Sequence, residues 1–219
     1  MNDFEIIDVC HTIHHGMITY KGLPPPVISD HLSREDSRAL YAPGTEFHIG
    51  KLEMVANTGT YLDSPFHRYP DGKDLSELDL RSLANLEGVV VRCTQDAEAR
   101  PSGRACVTLA ALEHLDVRGK AVLFHTGWDR RWRTEKYSDG THPFLTAGAA
   151  EYLASNRAAL VGIDSYKIDD TIGGTRPAHS ILLAHATVRE GAVRSIKENM
   201  RPPLQSGFRP PCYFAPNSA

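Results

Sequence analysis

The sequence predicts an α/β protein built on a mixed sheet. Apolar runs of strand length recur at residues 88–93 (GVVVRC), 121–125 (AVLFH) and 159–164 (ALVGID). Segments with helical spacing fall between them, at residues 108–115 and 146–155. Strands alternating with helices are the pattern of an α/β fold. No repeat, low-complexity tract or linker interrupts the 219 residues, a length that suits one domain. A single domain over residues 1–219 is therefore expected.

The elements follow in order. Residues 5–9 read as a short strand, and Pro24-Pro25-Pro26 fixes an extended segment because each ring locks φ. Residues 47–56 (FHIGKLEMVA) alternate loosely, as a strand does. Asn57-Thr58-Gly59-Thr60 is a turn. Ser64-Pro65 and Tyr69-Pro70-Asp71-Gly72 keep the next stretch irregular, since proline removes a donor and biases its predecessor away from helix. Apolar residues at Leu75, Leu78, Leu80 and Leu83 predict a short helix. The first apolar strand comes next, then a helix over 108–115 with Thr108 as N-cap. The strand 121–125 closes on Thr126-Gly127. A helix over 146–155 and the strand 159–164 complete the alternation. Residues 182 to 200 have helical propensity, and the tail PPCYFAPNSA holds one last short strand.

Composition excludes several function classes. Lys+Arg is 24 against Asp+Glu 27, a net charge of −3, so no basic excess draws nucleic acid or an anionic membrane. No apolar run approaches the roughly 18 residues of a membrane span. The N-terminus carries Asp3 and Glu5 without a basic region ahead of an apolar one, so a signal peptide is not expected and a cytoplasmic location is. Four cysteines lie far apart with no CxxC pair, which predicts reduced, buried thiols. Eleven histidines stand out, because imidazole is both a common metal ligand and a common acid–base group.

Three strand ends carry polar groups. The turn NTGT leads to Asp63 and His67, AVLFH runs into Thr126 and Trp128, and ALVGID runs into Ser165, Asp169 and Asp170. Ligands of open α/β sheets sit beyond the carboxyl ends of strands, so parallel neighbours would share one mouth here. The densest group is residues 57–67 (NTGTYLDSPFH). Pro65 keeps Asp63 and His67 from facing each other on one helix, but a segment that folds back brings them together. A carboxylate beside an imidazole fixes its tautomer and raises its basicity. Trp128 and Phe66 could stack on an aromatic ligand. Glu46 and His48 share a strand face. His11, His14 and His15 read as structural, the patch Asp129-Arg130-Arg131-Trp132-Arg133 as a solvated loop or a subunit contact, and Asp169-Asp170 as either a cation site or a turn; Gly173-Gly174 lacks the Lys-Ser/Thr of a phosphate loop.

Residues 57–67 resemble the HxGTHxDxPxH signature of the cyclase / kynurenine formamidase family. Other pieces agree in order: residues 11–17 (HTIHHGM), 122–132 (VLFHTGWDRRW), His142-Pro143, 160–170 (LVGIDSYKIDD), and His179 followed by Leu182-Leu183 and Glu190. The resemblance spans roughly residues 5–190, and the tail beyond about 190 matches poorly. It implies a swivelling β/β/α fold, assembled as a homodimer or homotetramer. It implies hydrolysis of a small aromatic or cyclic amide, with one or two divalent ions, Zn or Mn. Carried over, Asp63, His179 and Glu190 become metal ligands and His67 the acid–base group, with Glu198 a rival to Glu190.

Asn57 and Tyr61 stand where the signature has its two metal histidines. An amide oxygen and a neutral phenol are poor zinc ligands. Asp63, His179 and Glu190 would still form a three-ligand site with an open position, whereas a two-metal site is not expected. Asn57 and Tyr61, both donor-capable, then become substrate-binding residues. Two alternatives remain open at this point. One is a metal-free cyclase, lactone or imine hydrolase using Asp63 and His67. The other is a non-catalytic descendant that binds a small molecule.

Overall fold

The structure, a computed structural model, describes residues 8–93, 98–99, 105–185 and 187–190. Its strands are β1 (Val27–Leu32), β2 (Ile49–Glu53), β3 (Tyr61–Asp63), β4 (Gly88–Arg92), β5 (Glu98–Ala99), β6 (Ala105–Val107), β7 (Ala121–His125), β8 (Phe144–Leu145), β9 (Leu160–Ile163) and β10 (Thr187–Glu190). Its helices are α1 (Arg34–Ser37), α2 (Ala147–Ser155) and α3 (Pro177–Leu183). The predicted mixed α/β class is what forms.

The three apolar runs become β4, β7 and β9. With β10 and β3 they make one five-stranded sheet in the order β3-β10-β9-β7-β4. Neighbours from β10 to β4 pair in parallel, and β3 pairs antiparallel with β10 at the edge. Strands covered on both faces read as continuous apolar stretches, and every residue of β9 is buried. Helix α2 starts where predicted, with the Thr146 hydroxyl accepting from Ala149 N at 3.3 Å. It buries Ala149, Ala150 and Leu153 in a core with Phe124, Ile163, Leu112 and Leu182, and packs against α3. A second sheet orders its strands β5-β6-β8. The predicted strand over 47–56 is β2, which forms a separate antiparallel ladder with β1.

Several expectations are corrected. The helix over 75–83 is instead two 3-10 turns, Leu75–Glu77 and Leu80–Ser82. Asp74 and Asp79 each cap their own turn, accepting from Ser76 N and Arg81 N, so the second aspartate restarts the chain rather than extending a helix. The helix over 108–115 is a 3-10 turn, Leu109–Ala111, and the Thr108 side chain makes no capping bond. Leu109, Leu112 and Leu115 recur every three residues, the 3-10 period. Helix α3 ends at Leu183, and Thr187–Glu190 is a strand fitted between β9 and β3. The segment 5–7 and residues 191–219, with the predicted last strand, lie outside the described residues. Cys93 and Cys106 are buried and outside any disulfide, but Cys10 is disulfide-bonded, against the expectation of reduced thiols.

The antiparallel course of β3 changes the shared mouth. The loops after β7 and β9 do leave from one edge. Because β3 runs the other way, it is the turn 57–60 before it that shares that edge. Gly59 in this turn has φ +72°, a left-handed conformation natural to glycine.

Gly72 makes a close approach of another kind. A Cβ there would lie 2.7 Å from the Pro65 carbonyl carbon and 2.9 Å from Phe66 N. Gly72→Ala is expected to push the 65–67 segment away and to lower stability by about 2 kcal/mol, the scale of overpacking against a backbone that cannot yield. Denaturant unfolding measures it, and an unchanged midpoint would contradict the packing described.

Candidate active site

Asp63 ends β3 and is buried, as is the whole strand. Tyr61 and Asp63, two apart, share a face of the sheet. Pro65 then opens a 3-10 turn, Pro65–His67, in the first-turn position where its missing N–H costs nothing. The bonds His67 N to Ser64 O (2.9 Å) and Arg68 N to Pro65 O (3.1 Å) fold the chain back. His67 Nδ1 comes to 3.3 Å from Asp63 Oδ1, so the predicted convergence forms.

His179 arrives on α3, and that helix is capped from a distance. Arg176 at the cap position makes no side-chain capping bond. The buried carboxylate of Asp169 accepts from Ala178 N (2.7 Å), His179 N (3.0 Å) and the His179 ring at Nδ1 (2.5 Å). An ionised carboxylate only accepts, so Nδ1 carries the proton and Nε2 is left as the basic nitrogen. That Nε2 lies 3.9 Å from Asp63 Oδ2, and the His67 and His179 rings lie 5.9 Å apart. Tyr69 Oη donates to Ser180 O (2.7 Å) and Arg68 Nε to Ser180 Oγ (3.2 Å), tying the turn that carries His67 to the helix that carries His179.

Asp63, His67 and His179 each offer one ligand atom, all within 4.8 Å of one another. One carboxylate and two imidazoles suit zinc or manganese, and a ring nitrogen backed by a second carboxylate is the usual support of a metal-binding histidine. The donor set therefore fits one divalent ion.

A cavity of about 660 Å³ opens over these groups. Asn57, His67 and His179 line it, with Tyr20, Lys167 and Arg176. Tyr61 is buried, and its Oη accepts from Lys167 Nζ at 2.8 Å. The other predicted residues are placed differently. Phe66 is exposed and absent from the described cavity wall. Trp128 is also absent from it; its indole N–H donates to Tyr137 O (3.1 Å), and its ring packs with Tyr137 and Tyr166. Glu190 ends β10 directly opposite Tyr61 in the register. Glu198 lies outside the described residues. Glu46 makes an ion pair with Arg38 (2.6 Å), and His48 Nε2 shares a hydrogen bond with Asp30 Oδ1 (2.8 Å). His11 stacks on Trp132.

Sequence reading missed Lys167 as a cavity residue and assigned no partner to Asp169. A signal for the first exists: Lys167 is the one cation in residues 160–169, which are buried throughout. A second group, His125, Asp129 and Asp164, gathers beyond β7 and β9. Burial pushes the Asp164 carboxyl up, opposed by hydrogen bonds from Thr126 and Gly127.

The family model described as "Putative cyclase" matches residues 7–170. The chain belongs to the cyclase family. Among cyclase-family relatives, it is 25% identical over 186 residues to a kynurenine formamidase of Bacillus cytotoxicus, covering 84% of this chain and 80% of that one. Its fold is similar to a solved structure described as a "potential metal-dependent hydrolase with cyclase activity" (TM-score 0.65, 23% identity, 88% and 84% of the two chains). It is similar also to isatin hydrolase A from Labrenzia aggregata bound to benzyl benzoate (TM-score 0.69, 20% identity, 87% and 80%).

Asp169→Ala in this cyclase-family chain removes three bonds at once and leaves buried donors unpaired. The expected loss of stability is about 2–4 kcal/mol, read by thermal or denaturant unfolding. A change below about 0.5 kcal/mol would show that the carboxylate does not hold α3.

Proposed function

We propose that the chain hydrolyses the C–N bond of a small aromatic or cyclic amide, with Asp63 and His67 at the centre of the chemistry. The observation that carries this reading is the convergence of Asp63, His67 and His179 beside a cavity of substrate size. The kinship with a kynurenine formamidase supports the amide class, and that with isatin hydrolase supports a cyclic one.

Asp63 and His179 are the residues we assign to a divalent ion, with Glu190 as the third ligand from the neighbouring strand. A bound ion supplies Lewis acidity to the amide carbonyl and lowers the pKa of water. Asp63 accepts from His67 Nδ1 and fixes the ring, which makes Nε2 the atom that moves a proton. His67 takes the proton of the attacking water and returns it to the departing nitrogen. The C–O bond forms, the C–N bond breaks, and the products are a carboxylic acid and an amine. Asp169 holds His179 in the tautomer this arrangement needs. Asn57 lines the cavity and offers its amide N–H to the substrate carbonyl.

The same reading takes the chain as one domain that acts in the cytoplasm as a homo-oligomer. Among the described residues, β1 and β2 form a ladder of their own with Val27, Ile49 and Leu52 exposed. Two strands without a covering layer are marginal in water, so a second copy is the natural cover.

Turnover of formanilide and isatin is expected to accompany about one tightly held zinc or manganese per chain, measured by elemental analysis. His67→Ala is expected to lower kcat by about 10²–10⁴-fold, the usual worth of a general acid–base group. Full activity with no ion held, after chelation, would favour the metal-free hydrolase. Ion and ligand binding without turnover would favour the non-catalytic descendant. Light scattering is expected to give a dimer or tetramer, and Ile49→Asp with Leu52→Asp to shift it toward monomer; a monomeric wild type would overturn the assembly.

A further inference from the structure

We propose that His125, Asp129 and Asp164 form a second divalent-cation site, separate from the Asp63–His179 centre, that takes zinc or manganese. The sheet builds it. β7 and β9 pair in parallel with Phe124 opposite Ile163, so the next residues, His125 and Asp164, stand side by side at the carboxyl ends of neighbouring strands. Asp164 N donates to Phe124 O at 3.2 Å, which keeps the register to that point. Gly127, with φ +76°, turns the chain into the 3-10 turn Trp128–Arg131, which carries Asp129. All three residues are buried, and their ligand atoms lie within 4.8 Å of one another.

His125 is the observation that points to a ligand. It is 8% exposed, and neither ring nitrogen has a hydrogen-bond partner among the described residues. Buried polar atoms are rarely left so. Nε2 faces Asp164 Oδ2 at 4.0 Å, beyond hydrogen-bond reach. Two donors on one tetrahedral zinc stand about 3.4 Å apart, so an ion between them draws the pair together by about half an ångström. The charge of the place agrees. Burial pushes the Asp164 carboxyl up, hydrogen bonds from Thr126 and Gly127 pull it down, and the Asp129 charge raises it again. A divalent cation offsets both the burial and the repulsion, which a neutral water does not.

Asp164 accepts from Thr126 N, Thr126 Oγ1 and Gly127 N, the kind of bonding that orients a ligating carboxylate. Asp129 is engaged elsewhere as well. A carboxylate has about four acceptor positions, so such partners leave room for an ion. They also draw on its charge, so this ion is held more weakly than the first and leaves on dialysis. One imidazole and two carboxylates suit zinc or manganese, with water completing the shell. None of the three residues lines the cavity. The ion therefore ties the loop after β7 to the end of β9 rather than acting on substrate.

Calorimetric titration of zinc chloride into the chelator-treated, full-length protein tests the site. Exposed histidines take zinc too, so the difference between variants decides, not the total. His125→Phe keeps the ring volume, removes the nitrogens and is expected to bind one ion fewer than wild type. Zinc is also expected to raise the Tm of wild type more than that of His125→Phe. An equal count in a folded His125→Phe would overturn the proposal. Should that variant not fold, Asp129→Asn is expected to weaken one zinc by at least about 10-fold, and an isotherm like that of wild type would overturn it. Asp63→Asn is expected to lose a different ion and keep this one. Loss of both ions together in that variant would overturn the separate site.

Discussion

The Asp169 carboxylate is fully buried, and three donors meet it: two backbone N–H groups from the first turn of α3 and the ring of His179. A seven-residue helix is far too short to stand alone in water. Here an anion from another part of the chain satisfies the orphan donors of its first turn and opposes the positive end of its dipole. The same charge sets the tautomer of His179 and so decides which nitrogen faces Asp63. Helix placement and site chemistry thus rest on one group. From α3 the constraint passes through Ser180 to Arg68 and Tyr69, and so to the turn that carries His67.

Sheet topology explains why one buried charge is enough. Residues 160–169 leave the middle of the sheet with every residue buried, so Asp169 starts from a rigid position. The chain then returns through α3 to β10, which enters the sheet beside the strand it came from, and β3 closes the edge. Asp63 and His179 therefore meet although 116 positions separate them in the chain. Gly72 contributes from the other side, because only a residue without a Cβ lets the chain pass so close to Pro65 and Phe66.

The parts of this architecture legible in the sequence are those where one local preference dominates. GVVVRC, AVLFH and ALVGID are apolar runs of strand length, and all three became strands, although only β9 is buried throughout and the edge strand β4 leaves Val90 exposed; Thr146 marked the start of α2. Errors occurred where tertiary pairing or local side-chain bonds override propensity. Thr187–Glu190 became a strand because β9 and β3 offered partners on both sides, which no local reading of residues 182–200 contains. Asp79 capped the start of a new turn where the leucine spacing alone would have continued one helix. In the site, the meeting of Asp63 with His67 was foreseeable from a proline that forces a fold-back. The capping of α3 by Asp169 was not, since the bond joins residues whose closeness depends on the whole sheet. Phe66 and Trp128 were plausible ring-stacking residues by type, but burial and hydrogen bonding took one to the surface and the other to the Tyr137 carbonyl.

Tyr61 and Lys167 are best understood together. At the second histidine position of the signature, a phenol shares the sheet face of Asp63 but reaches further from the strand than an imidazole would. Its oxygen accepts from the Lys167 ammonium at 2.8 Å. A phenol oxygen that already accepts from a fixed cation competes poorly for a divalent ion. Two positive centres also repel strongly where the dielectric is low. The ammonium therefore acts against a second ion at that end of the cavity, while Asp63 and His179 are left able to hold a first. In this cyclase-family chain the exchange of histidine for tyrosine is thus coupled to a lysine over 100 residues away.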